Sequence, residues 1–192
     1  MKKHPLGELF ETAVRVQTLL EQHKIKFCFI GGVAVQRWGK VRITRDVDLT
    51  LYAGFGNEDY FINLLAGTFT PRRPDYQEFA QLYRIALLSD ENGVGIDISL
   101  GAMPFEEDMI ARSSLFEFIT GCNLRTCSAE DLIIFKSYAN RDQDWFDIRN
   151  VLIRFKKKID PTTILDVVSQ LAELKGEPEI ADKLTKLFNE TN

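Results

Sequence analysis

Residues 46–52, Asp-Val-Asp-Leu-Thr-Leu-Tyr, alternate polar and apolar side chains, which is the period of a strand with one buried face and one open face. Such a strand turns Val47, Leu49 and Leu51 into a core and leaves Asp46 and Asp48 as neighbours on the open side. Upstream, residues 25–30 form an apolar run that reads as a short buried strand. Gly31 and Gly32 then make a tight turn, and residues 33–38 begin a helix that Gly39 stops. Strand, glycine turn, helix and Asp-x-Asp strand thus follow one another along the chain.

The alternation recurs at residues 94–100. Val94, Ile96, Ile98 and Leu100 share one face, and Gly95, Asp97 and Ser99 share the other, so a third carboxylate is able to join the first two. Carboxylates crowded in this way raise one another's pKa and destabilise the fold unless a cation intervenes. Hard divalent ions, Mg2+ or Mn2+, prefer oxygen ligands and serve phosphoryl transfer. A glycine turn that feeds a helix N-terminus offers backbone N–H groups to a phosphate. Together these features describe a nucleoside triphosphate site, with Asp46, Asp48 and Asp97 as metal ligands and Gly31 and Gly32 as phosphate contacts. A calcium site on the same acidic face, with no need of nucleotide, is an alternative.

The rest of the chain places this site. Residues 7–23 carry an apolar stripe at helical spacing, and residues 58–67 read as a helix ending at Gly67. Strands are expected at 81–89 and 93–100, joined by the turn Asp-Glu-Asn-Gly, and a hairpin at 115–119 and 123–127 around Gly121. From residue 128 the pattern is helical. Ser128 opens one helix, Asp160-Pro161 another that Gly176 closes, and Pro178 starts the last. The expected fold is α+β: a mixed β-sheet flanked by helices over residues 1–127, followed by a C-terminal helical region at 128–192 packed on that core.

Composition narrows the function classes. A net charge of -4 excludes a wholly basic nucleic-acid coat while leaving room for a local basic patch, and 45% hydrophobic with 27% charged residues is the profile of a soluble globular chain. Cys28, Cys122 and Cys127 form no disulfide framework, which fits a reducing cytoplasm. The apolar stretch at 27–35 is interrupted by the glycine pair and falls short of the ~20 residues of a membrane span. The first sixteen residues turn charged before a signal-peptide core develops. The expectation is a cytoplasmic protein with no membrane contact.

Gly31-Gly32, thirteen intervening residues, and Asp46-Val47-Asp48-Leu49 resemble the signature of the nucleotidyltransferase superfamily, the DNA polymerase β-like fold. Residues 42–49 (RITRDVDL) and 127–148 (CSAEDLIIFKSYANRDQDWFDI) are similar to its AbiEii-type branch, which contains toxins of bacterial toxin–antitoxin and abortive-infection systems. The resemblance implies a Mg2+- or Mn2+-dependent enzyme that moves a nucleoside monophosphate from an NTP, ATP among them, to an acceptor hydroxyl. It gives Asp46 and Asp48 both metals, Asp97 a role as ligand or base, and Gly31 and Gly32 the β and γ phosphates. Lys136 reaches the triphosphate in this reading, and a functional Asp follows on the next helix, with Asp144 favoured over Asp147. Arg42, Thr44 and Arg45 would touch nucleotide or acceptor, Arg42 through a phosphate.

The residues themselves add two points. Lys136 lies between Leu132 and Ile133 on a mostly apolar helix, where an ammonium needs a nearby anion. Asp144 and Asp147 have the simpler option of pairing with Arg141 and Arg149. RNA, tRNA included, is the acceptor that the resemblance implies, with Lys156, Lys157 and Lys158 as a candidate contact and an antitoxin protein as a candidate partner. The alternatives are a small-molecule acceptor such as an aminoglycoside, a protein hydroxyl, or a non-catalytic nucleotide- or partner-binding module.

Overall fold

A computed structural model describes residues 5–155 and 158–191. The chain divides into two compact units, Met1–Val33 with Ile43–Cys127, and Ala34–Arg42 with Ser128–Asn192.

The first unit runs α1 (Pro5–Gln22), β1 (Phe27–Phe29), the start of α2 (Gly31–Trp38), β2 (Asp46–Tyr52), α3 (Glu58–Ala66), β3 (Thr70–Pro71), α4 (Tyr76–Tyr83), β4 (Ile85–Ser89), β5 (Gly95–Gly101), α5 (Pro104–Arg112), β6 (Ser114–Ile119) and β7 (Cys122–Thr126). Its seven strands form a single mixed sheet in the order β3-β4-β5-β2-β1-β7-β6. The β2–β5 and β1–β7 pairs are parallel and the others antiparallel. The α+β architecture expected from the sequence is the one observed.

Strand parity fixes the core. Val47, Leu49, Leu51, Ile96, Ile98 and Leu100 are all buried, and they cluster with Leu9, Ala13, Val16 and Leu20 from the apolar stripe of α1. Each large aliphatic side chain buried there contributes about 1.5–3 kcal/mol. Because successive strand residues point to opposite faces, that burial forces Asp46, Asp48 and Asp97 to the other side of the sheet.

Three elements differ from expectation. Residues 81–83 belong to α4, and the strand begins only at Ile85. Arg84 separates the two in a left-handed conformation with φ of 55°. Its guanidinium holds that turn by donating to the carbonyls of Leu100 and Gly54, each at 2.8 Å, and by pairing with Glu58. The short edge strand β3 and the helix α5 were not foreseen. In α5, Pro104 takes the first position and the Glu106 carboxylate accepts the Ala102 and Met103 N–H groups at 2.9 Å.

The second unit contains the rest of α2, α6 (Ala129–Ala139), α7 (Asp142–Phe155), α8 (Pro161–Lys175) and α9 (Glu179–Glu190). Ser128 Oγ caps α6 by accepting the Asp131 N–H at 3.0 Å. Asp160 caps α8 through the Thr162 N–H at 3.0 Å, and Gly176, with φ of 77°, closes that helix. Trp38 meets Phe155 edge-on at 5.5 Å. Lys156 and Lys157 of the basic run lie outside the described residues, and Lys158 is exposed. The three cysteines are buried. Among the described residues no helix is long and apolar enough to cross a membrane.

Candidate active site

The parallel pairing of β2 with β5 sets Asp48 directly opposite Asp97 and Asp46 opposite Gly95. Asp46 is exposed, while Asp48 and Asp97 are half-buried. Gly95 is small for a reason: a Cβ at that position would stand 2.2 Å from Asp46 Oδ1. The strands therefore set the three carboxylates that the sequence singled out on one face of the sheet, two of them directly opposite each other.

The glycine turn closes over Asp48 from the neighbouring strand. The Ile30 N–H donates to the Asp48 carbonyl at 2.9 Å, which carries the β1–β2 pairing up to the turn. Gly31 has φ of 51°, and a Cβ there would lie 2.2 Å from Asp48 Oδ2. At Gly32 a Cβ would fall 2.1 Å from Thr44 Oγ1. Both positions thus exclude any side chain. The Gly32 N–H faces the Asp48 carboxylate at 3.3 Å, and Thr44 Oγ donates to the Asp46 carbonyl at 3.4 Å. Gly31, Gly32, Thr44, Asp46 and Asp48 are in consequence one contiguous structure.

A residue that the sequence reading missed adds a positive charge to this face. Arg72 forms an ion pair with Asp97, with the two side chains 35% and 38% exposed. The Asp97 carboxyl is nonetheless pushed above the ordinary aspartate value by burial, with the Asp46 charge adding to it and Arg72 opposing it. Among the described residues no three His, Cys, Asp or Glu side chains gather closely enough to hold a metal ion. No local pattern marks Arg72, which follows the two-residue strand β3. Only the strand register brings it to Asp97.

The second unit carries a separate ionic network. Lys136 is buried in the middle of α6, 5% exposed, and its Nζ donates to Asp144 Oδ1 and Asp147 Oδ2, each at 2.8 Å. Asp147 also accepts both arms of Arg42, from Nε at 3.0 Å and Nη2 at 2.9 Å, and the Gln143 amide at 3.1 Å. Asp144 accepts from Arg141 Nε at 2.7 Å. Burial pushes both carboxyls up. The hydrogen bonds and charges of Arg141 and Lys136 on Asp144, and of Arg42 and Lys136 on Asp147, outweigh it and hold each below the ordinary range. The anion that Lys136 requires is thus a pair of aspartates, and the structure treats Asp144 and Asp147 alike. Arg149 pairs with Glu190 at 2.8 Å instead of Asp147, because α9 supplies a carboxylate to its exposed end. Arg45 is exposed.

Comparison with known proteins follows the same line. A family model described as "Nucleotidyl transferase AbiEii toxin, Type IV TA system" matches residues 17–191. No curated protein sequence matches the chain. Among solved structures, an antigenic nucleotidyltransferase-like protein from Paracoccidioides brasiliensis is similar with a TM-score of 0.57 and 16% identity, over 95% of this chain and 93% of that one. The antibiotic-resistance factor ANT(2'')-Ia is similar with a TM-score of 0.55 and 14% identity, over 88% of this chain and 94% of that one. The lincosamide antibiotic adenylyltransferase LnuA is similar with a TM-score of 0.50 and 18% identity, over 73% of this chain and 95% of that one. At these identities the likeness is one of fold.

Proposed function

We propose, for a chain that belongs to the AbiEii nucleotidyl transferase family and is a nucleotidyltransferase, that it transfers a nucleoside monophosphate from an NTP to an acceptor hydroxyl with Mg2+ or Mn2+ held by Asp46, Asp48 and Asp97. The observation that carries this reading is the register of Asp48 on Asp97 beneath a glycine turn that tolerates no side chain. The donor type fits the group, since carboxylate oxygens on one open sheet face are the ligand type of a hard divalent ion, and a bound ion would have to draw the three side chains closer than they stand here. Bound there, the ion would neutralise phosphate charge and make the acceptor hydroxyl more acidic.

The chain's own residues carry the remaining work. The acceptor oxygen attacks the α-phosphorus, the bond from that phosphorus to the bridging oxygen breaks, and pyrophosphate leaves with its electron pair. A proton must leave the acceptor hydroxyl in that step, and a carboxylate oxygen of Asp97 takes it in this reading. Gly31 and Gly32 leave no side chain between the turn and Asp48 and Thr44, and the N-terminus of α2 that they form is the phosphate-binding element of this reading. In the second unit, the nucleotide-binding role implied for Lys136 and Arg42 depends on both being held in place. Asp144 and Asp147 provide for that at 2.8–3.0 Å.

RNA is the acceptor class that the family resemblance implies, in a cytoplasmic toxin with an antitoxin partner. The family's description as a type IV toxin–antitoxin component supports that role. A small cationic molecule is the second reading, favoured by the net charge of -4. Incubating the protein with each α-labelled NTP, Mg2+, and separate RNA, protein and small-molecule fractions tests the assignment. Label is expected in the RNA fraction; label in the small-molecule fraction alone would replace RNA with the second reading.

A further inference from the structure

The row of the sheet that holds Asp48 and Asp97 extends further than the carboxylates. Asp97 stands opposite Leu87 across β5 and β4. The Arg72 N–H donates to the Leu87 carbonyl at 3.0 Å, one step beyond the Pro71–Leu88 pair, so the row ends on Arg72. Residues opposite one another in a sheet share a face, which puts Arg72, Leu87, Asp97 and Asp48 on the open side together. The long Arg72 side chain spans the Leu87 position to meet Asp97. A Cβ on Gly95 would stand 3.2 Å from Arg72 Nη1 and 2.2 Å from Asp46 Oδ1, so the guanidinium and the Asp46 carboxylate both lie over that glycine. One fixed positive charge therefore occupies the acidic face where a divalent cation would bind.

We propose that Arg72 is a positioning residue that serves as the internal counter-ion of this face: it holds Asp97 while no divalent cation is bound, yields Asp97 when one binds, and then offers its guanidinium to the phosphate oxygens of the nucleotide. The inference rests on the reading of Asp46, Asp48 and Asp97 as metal ligands. A guanidinium keeps its charge at any working pH, so it cannot relinquish Asp97 by losing a proton and has to swing away. Its planar fork of donors matches a phosphate as well as it matches a carboxylate. A role confined to fastening the edge strand β3 would affect stability and leave ligand affinities in proportion.

The test is a titration with Mn2+ followed by electron paramagnetic resonance, without nucleotide, on the wild type, Arg72→Ala, Arg72→Lys and Asp48→Asn. A second titration, with a non-hydrolysable ATP analogue at saturating Mn2+, reads nucleotide affinity. Arg72→Ala is expected to bind Mn2+ more tightly, on the order of five- to ten-fold for a half-exposed pair facing a doubly charged ion. The same variant is expected to bind the analogue more weakly by a comparable factor, with Arg72→Lys between it and the wild type. Tighter metal combined with weaker nucleotide is a pattern that loss of structure does not produce. Unchanged or weaker Mn2+ affinity in a variant that melts like the wild type would overturn the proposal. If Arg72→Ala does not fold, Arg72→Lys decides by the same criterion. Wild-type Mn2+ binding by Asp48→Asn would instead overturn the metal assignment itself.

Discussion

Replacing Lys136 by alanine tests the ionic network of the second unit at its centre. The ammonium is 5% exposed and serves two carboxylates that are each 2% exposed in their side chains. Removing one partner from a buried ion pair costs about 3–5 kcal/mol, because the charge left behind has lost its compensation. Arg141 remains on Asp144 and Arg42 on Asp147, so the lower end, about 3 kcal/mol, is expected for Lys136→Ala. Trp38 and Trp145 are the chain's only tryptophans and both belong to this unit, so their fluorescence reports its unfolding in urea. At an m-value of about 1.5 kcal/mol/M the midpoint falls by roughly 2 M. The pH dependence follows from the same contacts. In the wild type both carboxyls are held below their unfolded value, so the stabilisation is complete above about pH 4 and is lost as the pH falls through the lower folded values. In the variant, burial persists with less compensation, and protonation relieves the penalty. The difference between the two proteins is therefore largest near neutrality and narrows in acid. A difference under about 1 kcal/mol at pH 7, or one that persists in acid, would refute this account of the network.

Other consequences are as direct. Gly32→Ala places a Cβ 2.1 Å from Thr44 Oγ1 and is expected to abolish nucleotide binding while costing about 1–3 kcal/mol of stability, measured by calorimetric titration and denaturant unfolding. Because burial and Asp46 raise the proton affinity of Asp97, Mn2+ binding should weaken on acidification from a pH above the ordinary aspartate value, and Asp97→Asn should remove that component of the pH profile. Ser128→Ala removes the cap of α6 and should cost about 1 kcal/mol in urea unfolding. Arg149→Ala breaks only the exposed pair with Glu190, and its unfolding midpoint should correspond to a loss below about 1 kcal/mol.

The parts of the fold legible in the sequence are those that local pattern controls. Alternation over residues 46–52 and 94–100 assigned both central strands and the face of each aspartate, because burial on one side leaves a strand no choice about the other. The caps at Ser128, Asp160 and Gly176 were readable for the same local reason. The break at Arg84 was not, because its left-handed turn is held by the Leu100 and Gly54 carbonyls, distant in sequence. The first turn of α5 did carry a signal, Pro104 followed by Glu106, but the apolar start of that segment obscured it. In the candidate site, the shared sheet face of the three carboxylates and the glycine turn ahead of it were legible from spacing, as was the need of Lys136 for an anion, though not which one. Arg72 escaped because its partner depends on the pairing of three strands, and the exposed end of Arg149 went to Glu190 on a helix far along the chain.

The most direct measurement is transfer of label from α-labelled ATP, in the presence and absence of Mg2+, by the wild type and by Asp46→Asn/Asp48→Asn, with unfolding curves to show that both are folded. Mg2+-dependent transfer by the wild type and none by the folded variant is the expected result. Transfer undiminished in the variant would contradict the assignment of the β2 carboxylates as the catalytic metal site.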